Sequence, residues 1–298
     1  MTKRFCVVLA ALVAAAVAGS VPAPPGAGFS LEQVLSAPFP SDLRAAPGGG
    51  KRVAWAFDAR GLRNVWVAEG PEFKARQVTA YAADDGQEIS QIEWSPDGGD
   101  IVYVRGGPKN QAGEIPNPTS DPAGAEQALW VVALAGGAAR RLGAGHSPAV
   151  APAGGRVAFI SDGQVWGAPL SGAFPASQLF KMRGTPGALA WSPDGAQLAF
   201  VSNRTDHQLI GIYDSRSKTI RYLAPSVDRD MWPRWSPDGK RVAFVRVAST
   251  GRTGEFFFDP DRDTRWGIWV ADPASGQGRE VWQAPPRQGG TLPGAGLA

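Results

Sequence analysis

Short runs in which apolar and polar residues alternate recur along the chain, each entered through a cluster of turn residues. The most regular are "DIVYVR" (100–105), "QLAFVS" (197–202) and "RVAFVR" (241–246), which follow Trp-Ser-Pro-Asp-Gly at 94–98, 191–195 and 235–239. A period of two with β-branched and aromatic residues predicts half-buried strands. Ser-Pro-Asp-Gly predicts a type I turn: proline sets φ at the second position, aspartate fits the third, and glycine accepts the left-handed conformation of a following bulge. Each copy therefore reads as a hairpin, a strand ending at the Trp and a second strand beyond the turn.

Weaker copies lie at "AAPGGGKRVAWAF" (45–57) and "VAPAGGRVAFIS" (150–161). The turn prolines stand at 47, 96, 152, 193 and 237, intervals of 49, 56, 41 and 44. A strand-rich period of about 40–50 residues predicts the four-stranded blades of a β-propeller. Third strands fit "NVWVAE" (64–69), "ALWVVAL" (128–134), "QVWGAPL" (164–170), "LIGIYDS" (209–215) and "GIWVAD" (267–272). Fourth strands fit "ARQVT" (75–79), "ARRLG" (139–143), "SQLFK" (177–181), "IRYLA" (220–224) and "REVWQ" (279–283). The fold class is thus all-β, a propeller of four-stranded antiparallel blades. Five are expected, at about 41–80, 89–143, 146–183, 187–225 and 232–285. The repeated Trp is expected to fill space between neighbouring sheets rather than to stack on a ligand.

Before the blades, residues 19–40 hold one expected short helix at "FSLEQVL" (29–35), with Ser30 as cap, Gln33 at the capping-box position and Phe29 against Val34. Residues 286–298 have no strand pattern and read as a disordered tail. The first eighteen residues carry Lys3 and Arg4, an apolar stretch from Phe5 to Val17 and the small-residue site Ala16-Val17-Ala18. That is the pattern of a cleaved export signal, and the apolar run is short for a membrane span of about 20 residues. The expected location is periplasmic or secreted, with no membrane attachment after cleavage.

Removal of the signal changes the chemistry that remains. Cys6 is the chain's one cysteine, so the exported part has no disulfide and no thiolate metal site. Lys plus Arg falls from 30 to 28 against 27 acids, so the basic isoelectric point is no sign of a nucleic-acid partner.

The blade phrases and the stretches between them resemble a known family. "WSPDG" blades occur in TolB-like propellers and in the N-terminal propeller of prolyl oligopeptidase family serine peptidases of the dipeptidyl- and acylaminoacyl-peptidase type. "LEQVLSAPFPSDL" (31–43), "GEIPNPTSDPAGAEQALWVVAL" (113–134), "GHSPAVAPAGGRVAF" (145–159), "FVSNRTDHQLIGIYD" (200–214) and "SVDRDMWPRWSPDGKRVAF" (226–244) resemble exported bacterial members of that peptidase family. The resemblance spans about 30–285. It implies a ring of seven or eight blades followed by an α/β-hydrolase domain with a Ser-Asp-His triad. Here five blades are read and no hydrolase pattern follows, so the chain reads as a truncated product or fragment, inactive alone.

No candidate chemistry inside the chain competes with that reading. The nucleophile elbow G-x-S-x-G is missing; the nearest string, "GHSPA" (145–149), follows Ser147 with proline and lies between blades. His146 is adjacent to Ser147, but adjacency does not give a base its facing geometry. His207 is the other histidine, and with no cysteine after export no metal site or cofactor is expected. Asp259, Asp261 and Asp263 imitate a calcium loop, yet Thr264 and Val270 replace its glycine and glutamate.

Topology gives the blades a direction. Loops joining second to third strands emerge on the same face as the blade-to-blade connections. The long segments at about 106–127 and 247–266 join second to third strands, so they share that face with 82–88, His207 and 226–230. Glu114, Asp121, Glu126, Asp228 and Asp230 are therefore expected on one acidic rim, which receives the amino end of a peptide substrate or packs against a hydrolase domain. The rival reading is a stand-alone TolB-like periplasmic propeller acting as a protein-interaction module.

Overall fold

The computed structural model describes residues 38–249 and 265–285, together with Ser30, Leu31 and Val34. The chain divides into two units, Met1–Ala37 and Pro38–Ala298. In the first, Leu31 and Val34 are helical and the Val34 amide donates to the Ser30 carbonyl at 3.0 Å, one turn of the expected helix. Phe29, Gln33, the export signal, the Asp259–Asp263 loop and the 286–298 tail lie outside the described residues.

Among the described residues the second unit holds twenty strands in five four-stranded antiparallel blades. Blade 1 holds β1 (Phe39–Ala45), β2 (Arg52–Ala59), β3 (Leu62–Glu69) and β4 (Arg76–Gln77). Blade 2 holds β5 (Ile89–Trp94), β6 (Asp100–Arg105), β7 (Ala128–Ala133) and β8 (Arg140–Ala144). Blade 3 holds β9 (His146–Val150), β10 (Arg156–Ser161), β11 (Gln164–Pro169) and β12 (Ser177–Phe180). Blade 4 holds β13 (Thr185–Trp191), β14 (Gln197–Arg204), β15 (His207–Asp214) and β16 (Thr219–Tyr222). Blade 5 holds β17 (Arg229–Trp235), β18 (Val242–Val247), β19 (Trp266–Ala271) and β20 (Gly278–Gln283). Within each blade the strands pair in sequence order, and one parallel bridge, Gln208 to Arg229, joins blades 4 and 5.

The Ser-Pro-Asp-Gly turns have the expected chemistry. In blade 4 the Gly195 amide donates to the Ser192 carbonyl at 2.8 Å, and Gly195 takes φ 68°. The Ser192 hydroxyl donates to Asp194 Oδ1 at 2.6 Å while accepting the Gln197 amide at 2.9 Å; Asp194 in turn accepts the Ala196 amide at 3.0 Å. Ser95 with Asp97 and Ser236 with Asp238 repeat the arrangement. Serine and aspartate thus satisfy the turn's own amides, leaving the Trp before the turn to work between blades.

That Trp staples neighbours together. The indole Nε1 groups of Trp94, Trp191 and Trp235 donate to the carbonyls of Arg44, Ala149 and Ala190, each on the first strand of the preceding blade, at 3.2, 2.9 and 3.0 Å. An arginine at the start of a second strand adds a clasp. Arg52 Nη1 donates to the Gly98 carbonyl at 2.8 Å with its guanidinium 5.8 Å from the Trp94 ring. Arg156 does the same to the Gly195 carbonyl, 4.5 Å from the Trp191 ring. Gly98 is required for this approach: a Cβ there would meet Arg52 Nη2 at 2.6 Å.

A feature that no residue type announces runs along the first strands. Asp42, Gln91, Ser147, Ala188 and Trp232 all have left-handed φ, from 45° to 55°, and each lies at a register shift between the first and second strands. Each stands five residues before its turn proline, so their spacing reproduces that of the repeat. A bulge bends a strand and increases its twist, which lets the innermost strand of every blade turn past its neighbour's. Two of the bulge side chains tie adjacent blades. Asp42 Oδ2 accepts the Ile92 amide at 2.7 Å, and Gln91 Oε1 accepts the Ser147 amide at 2.6 Å.

The first strands contact one another in succession, β1 with β5, β5 with β9, β9 with β13 and β13 with β17. Four apolar cores fill the gaps between consecutive blades, centred on Tyr103, Phe159, Phe200 and Phe244. Among the described residues no comparable core joins blade 5 to blade 1. The sheet order advances radially, as the repeat predicted, over an arc of five.

Candidate functional site

The loops of one face carry the residues singled out in the sequence. Connections between blades hydrogen-bond there to loops joining second and third strands. The Gly106 amide donates to the Glu88 carbonyl at 2.9 Å, Gly145 to Gln127 at 2.8 Å and Gln208 to Asp228 at 3.1 Å. The 106–127 segment is ordered by two asparagines. Asn110 Oδ1 accepts the amides of Ala112 and Glu114, both at 2.9 Å, and Asn117 Oδ1 accepts the Asp121 amide at 3.0 Å. These short polar turns suit a segment with little apolar content, because side-chain acceptors replace the ladder bonds it lacks.

The five acids expected on the rim differ in surroundings. Glu114 and Asp121 are exposed on this loop, and neither forms an ion pair among the described residues. Glu126 is gripped by Arg141 through Nε at 2.6 Å and Nη2 at 2.7 Å, both side chains being half exposed. Asp228 accepts the Ser249 amide at 3.1 Å. Asp230 has no exposed surface. Arg246 Nε and Nη2 reach its two oxygens at 2.6 and 2.9 Å; Nη2 also donates to the Ala224 carbonyl at 2.6 Å, and the guanidinium lies 4.1 Å from the Trp269 ring. Burial pushes the Asp230 carboxyl above the ordinary carboxylate value, with the Arg246 bonds and charge opposing that rise. The pair ties the Ala224 connection to blade 5.

Ser147 and His146 sit on β9. The Ser147 hydroxyl is 2.9 Å from His146 Nδ1, and burial, with Lys109 nearby, lowers the imidazole's pKa. Ser147 belongs to the series of first-strand bulges, which accounts for its left-handed backbone without an elbow before a helix. Its amide is already committed to Gln91. No further group orients the imidazole in the manner of a triad among the described residues.

His207 lies elsewhere on the same face, with Nδ1 2.7 Å from Asp206 Oδ1. The contact lowers the Asp206 pKa. The pair lines a cavity of about 610 Å³ together with Arg183, Arg204 and Arg229. Arg204 Nε donates to the Ser202 hydroxyl at 3.3 Å and its guanidinium covers the Tyr222 ring at 4.8 Å. Arg229 Nη2 donates to the Thr205 carbonyl at 3.4 Å. Sequence reasoning overlooked this cationic cavity, because its three arginines come from separate segments and share no motif. Among the described residues no cluster of three or more metal-ligating side chains is present.

No family model and no curated protein sequence matches the chain. Solved structures do. A putative TolB from Agrobacterium tumefaciens is similar at 18% identity and a TM-score of 0.50, covering 83% of this chain and 82% of that one. This chain is a β-propeller arc. An oligogalacturonate lyase from Vibrio parahaemolyticus is similar at 14% identity and a TM-score of 0.59, covering 84% of this chain and 68% of its own. A puromycin-hydrolysing peptidase from Mycobacterium tuberculosis is similar at 16% identity and a TM-score of 0.55, over 82% of this chain but 37% of that one. At these identities the likeness is one of fold, which the lyase and the peptidase share despite their different activities.

Proposed function

We propose that the arc is the propeller of an exported prolyl oligopeptidase-type serine peptidase, where it restricts access and orients oligopeptides for a separate hydrolase domain. The observation that carries this reading is the polarity of one loop face. Glu114 and Asp121 stand on an asparagine-keyed loop of blade 2, while Arg183, Arg204 and Arg229 line a cavity at blades 4 and 5 on the same face. An oligopeptide has a cationic amino end and an anionic carboxyl end, and a face with both signs of charge orients it. Glu126 and Asp228 belong to the same rim in this reading, with Glu126 held by Arg141, whereas Asp230, expected there from the sequence, is fully buried against Arg246 and faces no ligand. The export pattern of the first eighteen residues and the fold likeness to the mycobacterial peptidase support it.

The chain has no nucleophile elbow and is expected to leave peptidyl and aminoacyl chromogenic substrates uncleaved; robust turnover would overturn the reading. Binding is the positive test. Fluorescence anisotropy with a labelled oligopeptide is expected to show weaker binding once its amino end is acetylated. Glu114→Lys with Asp121→Lys should abolish that difference, whereas equal affinity for free and acetylated peptides sinks the rim's role.

The fold likeness to the Agrobacterium structure, over 83% of this chain and 82% of that one, supports a second reading, a TolB-like periplasmic interaction module. In that case oligopeptides bind without regard to their ends, and cross-linking in the periplasm joins the chain to an envelope protein.

A further inference from the structure

The register of blade 4 gathers several segments at one end of its sheet. Thr185 pairs with Asn203 and Arg204 with His207, and the parallel bridge from Gln208 brings in Arg229. Arg183 stands two residues before Thr185, on the connection from blade 3. All except Gln208 line the cavity of about 610 Å³.

Two local devices hold the arginines there. The Ser202 hydroxyl, on a residue with no exposed surface, donates to the Arg183 carbonyl at 2.8 Å and accepts Arg204 Nε at 3.3 Å. One oxygen thus positions the backbone of one arginine and the side chain of the other. Gly184 takes φ 80°, and a Cβ there would collide with the Asn203 carbonyl, so the connection closes on the end of β14 as only glycine allows. The Tyr222 ring backs the Arg204 guanidinium at 4.8 Å.

The charges so gathered are not balanced from within. Asp206 is the one carboxylate among the lining residues, and it faces the His207 imidazole. With His207 neutral, three guanidinium groups against that carboxylate leave the lining with a surplus of two positive charges. Among the described residues the Arg183 guanidinium and the Nη groups of Arg204 meet no carboxylate and no hydrogen-bond acceptor. Like charges held together repel, and a bound anion offsets that repulsion.

We propose that this cavity receives the carboxyl end of a peptide whose last residue is aspartate or glutamate, two carboxylates on one residue. The inference deepens the peptidase reading and rests on it for the peptide; the binding of two carboxylates rests on the cavity alone. A guanidinium is a planar fork that matches one carboxylate through two parallel bonds. Arg183 and Arg204 present two such forks from separate segments, so a ligand with two carboxylates engages both, and its charge equals the surplus. The volume is that of a site for a whole small ligand rather than a single ion, which leaves room for a residue with its side chain. Arg229, already donating to the Thr205 carbonyl, strengthens the field.

Isothermal titration calorimetry of the full chain with N-acetylglutamate, its α-amide and N-acetylglutamine tests the proposal. The dicarboxylate is expected to bind about tenfold tighter than either monocarboxylate, as one charged bidentate contact warrants. Labelled oligopeptides ending in glutamate, amidated glutamate and glutamine should follow the same order. Arg183→Gln removes one charge and Arg204→Lys keeps the charge but loses the fork; each should bring the dicarboxylate down about tenfold. Lys240→Gln, an equal charge loss at an exposed site beside the turn of blade 5, should change nothing. Arg183 is exposed, so the unliganded unfolding midpoint of Arg183→Gln should be no lower. Equal binding of the three small ligands, or an equal loss in Lys240→Gln, overturns the proposal. So does inorganic phosphate binding more tightly than the dicarboxylate, which would assign a phosphoryl site instead. The two readings fail separately. Dicarboxylate binding with oligopeptides that ignore their amino ends sinks the peptidase reading and keeps the cavity's ligand, whereas amino-end discrimination without dicarboxylate binding does the reverse.

Discussion

The indole Nε1 of Trp191 donates to the carbonyl of Ala149 at 2.9 Å, so the residue that opens the turn of blade 4 closes the gap to the first strand of blade 3. One side chain thereby links hairpin formation to radial assembly. The same ring faces the Arg156 guanidinium at 4.5 Å, and that guanidinium reaches the Gly195 carbonyl beyond the turn. Turn, Trp and clasp form one unit, which explains why the sequence repeats them together.

Trp191→Phe keeps a ring beneath Arg156 but removes the donor to Ala149. A carbonyl left without its partner in a part-buried gap costs about 1–2 kcal/mol. The urea midpoint should fall accordingly, and an unchanged midpoint would reduce the staple to a packing contact.

Ala188 is exposed and holds φ 45° in the blade 4 bulge. A residue with Cβ loses about 1–2 kcal/mol in that conformation, while glycine adds about 0.4–1 kcal/mol of unfolded-state freedom. Ala188→Gly is therefore expected to stabilise the chain by up to about 1 kcal/mol. A lower midpoint would show that the bulge is not under strain.

The Asp230–Arg246 pair should behave as a buried pair. Asp230→Ala leaves a guanidinium among apolar neighbours and is expected to cost about 3–5 kcal/mol. Replacing both partners, Asp230→Leu with Arg246→Met, should recover much of that loss, though the Ala224 carbonyl then loses its donor. A double-mutant cycle with no coupling would contradict the geometry.

Acid should act on the turns. The carboxyls of Asp97, Asp194 and Asp238 lie below the ordinary value of 3.8, first because a serine hydroxyl donates to each and next because a backbone amide does. The unfolded chain then binds more protons than the folded one, so the stabilisation is present above that ordinary value and is lost as pH falls through the lowered values. Thermal midpoints measured from pH 5 to pH 2 should drop, and Ser192→Ala should shallow the drop. A variant with the full acid slope would place its origin elsewhere.

Much of the fold was written into local sequence. Ser-Pro-Asp-Gly specifies its turn within four residues, because proline, the hydroxyl–carboxylate pair and a left-handed glycine act on their own backbone. The alternating runs beyond it bury one side against each neighbouring sheet, so their period is visible without knowing the neighbour. The bulges were not legible. Asp42, Gln91, Ser147, Ala188 and Trp232 share no chemistry, since the demand at that position is on the backbone of an inner strand and not on a side chain. The acidic rim was read as a set of charges on one face, but the surroundings of Asp230 depend on Arg246, sixteen residues away on the next strand. Arg183, Arg204 and Arg229 were missed because a blade connection and the ends of two strands in different blades bring them to one cavity.

By itself the sequence determined the units: five hairpins with their turn chemistry, the strands that extend them into sheets, and the Trp that awaits a neighbour. Tertiary structure decided what those units do to one another: which carbonyl each indole meets, where the inner strands must bend, and which charges are paired. Local rules act through bonds along the chain and repeat wherever the residues repeat. Docking of blades acts through space, where position around the axis, not residue type, sets the outcome.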